Sequence, residues 1–119
     1  MTTQEIASRL AALCAQGEFE TAQKELYAED AVSIEPFATP GFEKETNGLP
    51  AIIEKGHRFQ ADVEETFGIT VSTPIVAGNS FAMTLTMDMT MKEHGRIQMS
   101  EICVYVVKDG KVVTEQFFM

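Results

Sequence analysis

From Phe81 to Met91 an apolar side chain stands at every second position: Phe81, Met83, Leu85, Met87, Met89 and Met91. Ala82, Thr84, Thr86, Asp88 and Thr90 alternate with them. Period two is the repeat of a strand, because successive side chains leave a pleated backbone on opposite faces. The stretch therefore calls for one long strand with a single buried face, and an all-helical fold is excluded. That face is chemically unusual, since four of the seven methionines in the chain lie on it. Thioethers fill gaps in packed cores and also make adaptable pocket walls, so both readings are open.

Turn signals at AGNS (77–80), KEHG (92–95) and KDG (108–110) cut the chain beyond Gly68 into four strands of an antiparallel meander. Upstream the period changes. Thr2 or Thr3 can cap a first helix whose inner face is Ile6, Leu10, Leu13 and Cys14, and Gly17 ends it. A second short helix turns Phe19, Ala22, Leu26 and Tyr27 inward, and Val32–Pro36 reads as a short strand. The segment from Phe37 to Asn47 holds Pro40 and Gly41, has no periodicity and reads as a loop. Loops of that length are often lids or binding loops, although its Phe37 and Phe42 also suit an ordinary surface loop. A long helix is predicted from about Leu49 to Thr66, with Pro50 in its first turn and a stripe of Ile52, Phe59, Val63 and Phe67. Gly56 falls in that stripe, which suggests a close approach to a neighbouring element. Helices grouped ahead of a meander make an α+β fold, and 119 residues suit a single domain, 1–119.

Eighteen acidic residues against nine basic ones give a formal charge of −9. That field repels nucleic acid and anionic membrane, so neither is an expected partner. No basic segment followed by an apolar one opens the sequence, and Cys14 and Cys103 fall in different elements. A cytoplasmic location with reduced thiols is expected. His57 and His94 are far apart and match no metal-ligand spacing, and no phosphate-binding or dinucleotide-binding glycine motif occurs, so no metal or cofactor is expected.

Three-residue loops at Glu93-His94-Gly95 and Lys108-Asp109-Gly110 set an expected register. Met89 then opposes Met99, Met87 opposes Glu101, Tyr105 opposes Val113, Cys103 opposes Glu115, and Glu101 opposes Phe117. One face would carry the methionines with Ile97, Met99, Cys103, Tyr105, Val113 and Phe117, and among them two diagonally adjacent carboxylates, Glu101 and Glu115. A glutamate on an apolar face is paired, protonated, functional, or else placed at the sheet end with its carboxylate in solvent. On the other face Ile102, Val104, Val106 and Phe118 are apolar as well. Three helices cover only one side of a sheet, so a second copy of the chain is the expected cover.

Two leading helices, the exit LYAEDAV (Leu26–Val32), SIEP, NGLPAI opening the long helix and the closing EICVYVVKDGKVVTEQFF together resemble the SnoaL-like group of the NTF2-like superfamily. That superfamily also holds ketosteroid isomerase, polyketide cyclases, limonene epoxide hydrolase and scytalone dehydratase. The resemblance covers essentially the whole chain, and it implies a curved sheet wrapped around the long helix as a cone with an apolar pocket. Met83, Met87, Met89, Met99, Tyr105, Glu115 and Phe117 of the sheet and Phe59 of the helix would line it.

Ketosteroid isomerase uses a carboxylate before a proline as its base, which here falls on Glu35 beside Pro36. Its second carboxylate, kept protonated to donate to an oxyanion, falls on Glu101. Its first-helix tyrosine falls on Leu10, so one hydroxyl donor is missing, and only Tyr27 and Tyr105 could replace it. The implied activity is cofactor-independent proton transfer on an apolar cyclic carbonyl compound. A ligand carrier without catalysis and a structural dimer with a filled cone are the alternatives.

Overall fold

A computed structural model describes residues 1–119. The order is α1 (Thr3–Ala15), α2 (Phe19–Leu26), β1 (Tyr27–Ile34), β2 (Glu45–Asn47), α3 (Leu49–Ala61), β3 (Val63–Val71), β4 (Ile75–Ala77), β5 (Ser80–Met91), β6 (Gly95–Lys108) and β7 (Lys111–Phe118). The fold is mixed α+β, as the sequence predicts. The strands form one sheet in the order β2-β1-β7-β6-β5-β3, with β4 also on β5. Every pairing is antiparallel except that of β1 with β7.

Helix α1 begins on a capping box, in which Thr2 and Glu5 each accept from the other's backbone N–H. Its face of Ile6, Leu10, Leu13 and Cys14 is buried against the strand face of Phe81, Met83, Leu85, Met87 and Met89. The methionine row thus points at the helices. Helix α3 touches β1 and β2 at one edge of the sheet and β3 at the other, which requires the sheet to curve around it.

Several boundaries differ from the expected ones. The long helix stops at Ala61 instead of Thr66, and Val63 and Phe67 belong to β3. Val63, Thr66, Ile69, Thr70 and Val71 are β-branched and favour the strand once the backbone leaves the helix at Asp62. Strand β1 starts at Tyr27, so that residue leaves the second helix, and the segment after Phe37 contains the short strand β2. Gly56 makes no close approach, for a Cβ added there would meet nothing within 4 Å.

Both hairpin registers shift by one rung on the same face. The β5–β6 loop is Lys92–His94, so Met89 opposes Ile97, Met87 opposes Met99 and Leu85 opposes Glu101. Between β6 and β7 the turn has only two residues, Asp109 and Gly110, both with positive φ (52° and 74°). That is the backbone of a type I′ turn. Val107 then opposes Val112, and a bulge takes up Val113 before Val106 opposes Thr114. Val112, not Val113, joins the core. Tyr105 opposes Glu115 and Cys103 opposes Phe117, so Glu101 and Glu115 are separated by a whole rung rather than diagonally adjacent.

Candidate functional site

The concave face of β1, β7 and β6 is polar where the rest of the cone is apolar. Ser33 on β1 opposes Glu115 on β7, and Glu115 opposes Tyr105 on β6. The next rung toward the strand ends holds Phe117 and Cys103. Two residues beyond Ser33 on the β1 side is Glu35, and two beyond Cys103 on β6 is Glu101. Alternation puts Ser33 with Glu35, Glu115 with Phe117, and Cys103 with Glu101 on one face. Burial follows the same order. Ser33, Cys103, Tyr105 and Glu115 are buried, whereas Glu35, Met99, Glu101 and Phe117 are partly exposed. The depth of the cone lies at Glu115 and its rim at Glu35 and Glu101.

Across from this face stands Lys55 of α3, the only basic residue among the buried ones. Its Nζ donates to Ser33 Oγ at 2.6 Å and to Glu35 Oε1 at 2.8 Å. Ser33 passes its single proton to Glu115 Oε2 at 2.6 Å, and the Tyr27 hydroxyl donates to Glu115 Oε1. The direction is forced, because an ammonium has no lone pair and a serine hydroxyl has one hydrogen. One hydrogen-bonded chain therefore runs from the rim (Glu35) through Lys55 and Ser33 to Glu115 and Tyr27 at the base. No buried side-chain polar atom in the protein lacks a partner.

Three carboxyl groups share this space with one ammonium. Burial, and then the charges of Glu35 and Glu115, push Glu101 up from 4.5 to about 7, against an opposing pull from Lys55. No hydrogen bond contributes to that shift. Burial also raises Glu115, opposed by the hydrogen bonds from Ser33 and Tyr27. Tyr27 and Tyr105 are raised well above 10.0 chiefly by burial, so both hydroxyls keep their protons. Burial pushes the Cys14 thiol up to about 12, and both cysteines are free and unreactive in their apolar setting.

Of the candidate lining residues, Met83, Met87, Met89, Tyr105 and Glu115 are buried in the interior, with Tyr105 stacked on Phe81 at 4.8 Å between ring centroids. Met99, Phe117 and Phe59 are partly buried and sit against the core at its open end. Leu10 is core. Glu115 is buried, and Tyr27 donates its hydroxyl proton to it. Lys55 and Ser33 are not among the candidates of the sequence, and Tyr27 is there only as a possible hydroxyl donor. Lys55 was findable, since it lies three residues after Ile52 and four before Phe59, within the apolar stripe.

The Phe37–Asn47 segment folds onto the solvent side of α3 rather than over the rim. Thr39 and Phe42 bridge to each other, and Arg58 stacks over the Phe42 ring. With Ala51, Glu54 and Arg58 the segment borders an open groove of about 630 Å³. His57 pairs with Glu20, and Asp88 pairs with Arg96 at 2.9 Å on the convex face, so neither joins the site. No group of three or more His, Cys, Asp or Glu side chains is placed to hold a metal. No helix is long and apolar enough to cross a membrane.

The sequence model of the SnoaL-like domain family matches residues 1–119. Among solved structures, a Mesorhizobium loti protein described as a SnoaL-like polyketide cyclase, and also as a carbohydrate phosphatase, is 33% identical over 100% of both chains with a TM-score of 0.92. A SnoaL-like polyketide cyclase from Jannaschia sp. CCS1 is 13% identical over 98% of this chain and 83% of its own, TM-score 0.77. A Catenulispora acidiphila protein with a ketosteroid isomerase-like fold, crystallised with trimethylamine, is 15% identical over 97% and 85%, TM-score 0.74. The last two share the fold alone. No curated protein matches the chain.

Proposed function

The chain belongs to the SnoaL-like domain family, and from that premise we propose that it is a cofactor-independent isomerase or cyclase that moves a proton next to the carbonyl of an apolar cyclic compound. The observation that carries this reading is the pair of carboxyls at the open end of the cone. Glu35 is paired with Lys55 at 2.8 Å, whereas Glu101 has no such partner and is pushed up to about 7 by burial and by its acidic neighbours. Two carboxyls in different surroundings, one paired with a cation and one buried without a partner, are a usual arrangement of a base and an acid. Glu35 serves as the base. Glu101, which no group of the chain engages by hydrogen bond, serves as the donor to the carbonyl oxygen. The partly exposed Met99, Phe117 and Phe59 hold the ring, and Met83, Met87 and Met89 form the deeper wall. No cofactor enters this chemistry, and general acid–base catalysis contributes about 10²–10⁴-fold by itself.

The Mesorhizobium loti relative also bears the name of a phosphatase. Three carboxyl groups around one ammonium favour a neutral substrate over a phosphate ester, because each carboxylate repels the dianion. A carrier that binds at the same rim without catalysis is the second reading, favoured by the resemblance, which puts Leu10 where the isomerase has its tyrosine.

The same reading makes the convex sheet face a homodimer interface. Ile102 and Phe118, paired across β6 and β7, are 50% and 47% exposed, and Val104 and Val106 adjoin them. All three helices lie on the opposite face, so nothing within the chain covers this one.

A thermal-shift panel of phenols, naphthols and small cyclic enones tests the pocket. Ligand at about 100 times its Kd adds about 2.7 kcal/mol, a shift of several degrees. The enzyme and carrier readings require stabilisation of the wild type and an altered response in Glu101→Gln. No shift with any compound supports the filled structural cone instead.

A further inference from the structure

Lys55 has three N–H donors and the chain takes up two of them, one at Ser33 and one at Glu35. The third has no acceptor in the protein. The ammonium stands 5.8 Å from the centre of the Phe117 ring, which lies on the rung of Cys103, next to that of Glu101. It is also close enough to Glu101 to oppose the rise in that group's pKa. Beside it on the same helix, Gly56 leaves space in which an added Cβ meets nothing within 4 Å. A buried cation and a spare donor thus coincide at the rim.

We propose that Lys55 is the oxyanion anchor of this site, and that its ammonium changes partner during the reaction, from the Glu35 carboxylate to the enolate or phenolate oxygen of the substrate. The inference rests on the proton-transfer reading above. The charge balance is what recommends it. The resting rim holds one ammonium against the Glu35 carboxylate. When Glu35 takes a proton from the substrate carbon or hydroxyl, Glu35 becomes neutral and the substrate oxygen becomes negative. The ammonium then faces one anion before the step and one after it, so no net charge is created in a poorly solvated site. The substrate class follows. A chain of formal charge −9 repels anions from its surroundings, so the compound enters neutral and ionises inside. An enolisable ketone or a phenol meets that requirement; a carboxylate or phosphate ester does not.

The test uses para-nitrophenol, whose phenolate has its own absorption band, and para-nitroanisole, which has nearly the same shape and cannot ionise. Both are titrated into the full chain at a pH below the dye's own titration. The wild type is expected to bind para-nitrophenol with the phenolate band present. Lys55→Met is expected to bind it about ten- to a hundredfold more weakly and without that band, the usual effect of losing a hydrogen bond from a charged donor. Para-nitroanisole binding should be unchanged in that variant, which shows that the cavity is intact. Lys55→Arg, which keeps a cation, should retain the band. Equal phenolate binding by wild type and Lys55→Met overturns the anchor and leaves the proton-transfer reading standing. A wild type that binds the dye only as neutral phenol also overturns the anchor, and it needs no variant. A wild type that binds neither compound removes the pocket, and both readings fall with it.

Discussion

Lys55 Nζ lies 2.8 Å from Glu35 Oε1, and with side chains only 11% and 25% exposed the two form the most shielded ion pair in the protein. The other ion pairs sit on the surface and contribute little, as exposed pairs generally do. This one sets the charge of the site. It neutralises one of three carboxyls, and it orders Ser33 so that the hydroxyl proton points at Glu115. The cation is therefore linked through Ser33 to the base of the cone as well as to its rim.

Lys55→Met should lower the unfolding free energy by about 3 kcal/mol, because it leaves Glu35 unpaired and takes a donor from the Ser33–Glu115 chain. The double variant Lys55→Met/Glu35→Gln should recover part of that loss, since the stranded charge is gone. Urea unfolding of the four proteins in the cycle measures the coupling. A loss in the double variant equal to the sum of the two single losses would show the pair to be energetically silent.

Stability should fall with pH across the interval from 4.5 to about 7 in which Glu101 titrates differently in the two states. The sign is that of a raised carboxyl. Between those values the folded chain binds the Glu101 proton more than the unfolded chain does, so raising the pH favours unfolding. The full cost, at most about 3 kcal/mol, is present above pH 7. Glu101→Gln should flatten this slope and be more stable than the wild type in alkaline buffer. Thermal unfolding of both proteins over the interval is the check, and parallel curves would contradict the burial of Glu101.

Gly56→Ala should stabilise the fold by about 0.5–1 kcal/mol, because alanine favours the helix and its methyl meets nothing. Gly56→Phe should fill the space beside Lys55 and abolish binding of para-nitroanisole while leaving the far-ultraviolet circular dichroism unchanged. Unimpaired binding in Gly56→Phe would move the ligand site away from α3.

The convex face supplies a prediction of another kind. Sedimentation should find a dimer, and Ile102→Arg should convert it to a folded monomer, because a charge placed at the centre of an apolar interface goes unpaired. A wild type that sediments as a monomer would leave Ile102 and Phe118 exposed without a partner.

The methionine face was legible because period two is strict over Phe81–Met91, and a register error of two residues leaves inward side chains inward. The rungs were less legible because they depend on turn chemistry. Asp109 and Gly110 both take positive φ, which shortens the loop to two residues and forces the bulge at Val113. Glu35 was named through the family resemblance, whereas Glu101 stood out first as a carboxylate on an apolar strand face and took its role from that resemblance. Glu115 was noticed as a carboxylate on an apolar strand face, yet its burial could not be read from a position so near the end of the chain. Ser33 sits between Val32 and Ile34, where alternation by hydropathy points the wrong way: the small polar residue faces in and the aliphatic ones face out. Lys55 is hard to read from the sequence because a lysine on a helix ordinarily faces water. Only its position in the Ile52–Phe59 stripe marks it as an inward cation that must find acceptors.

The most direct measurement is exchange of carbon-bound hydrogen next to the carbonyl of small cyclic ketones in deuterated water, followed by nuclear magnetic resonance. It reads proton abstraction itself and does not require the natural substrate. The wild type is expected to accelerate exchange over buffer, with Glu35→Gln abolishing the acceleration and Glu101→Gln reducing it by about 10²-fold or more. Exchange at the buffer rate with every ketone that binds, or acceleration that survives Glu35→Gln, would contradict proton transfer at this rim and leave a cavity that only binds.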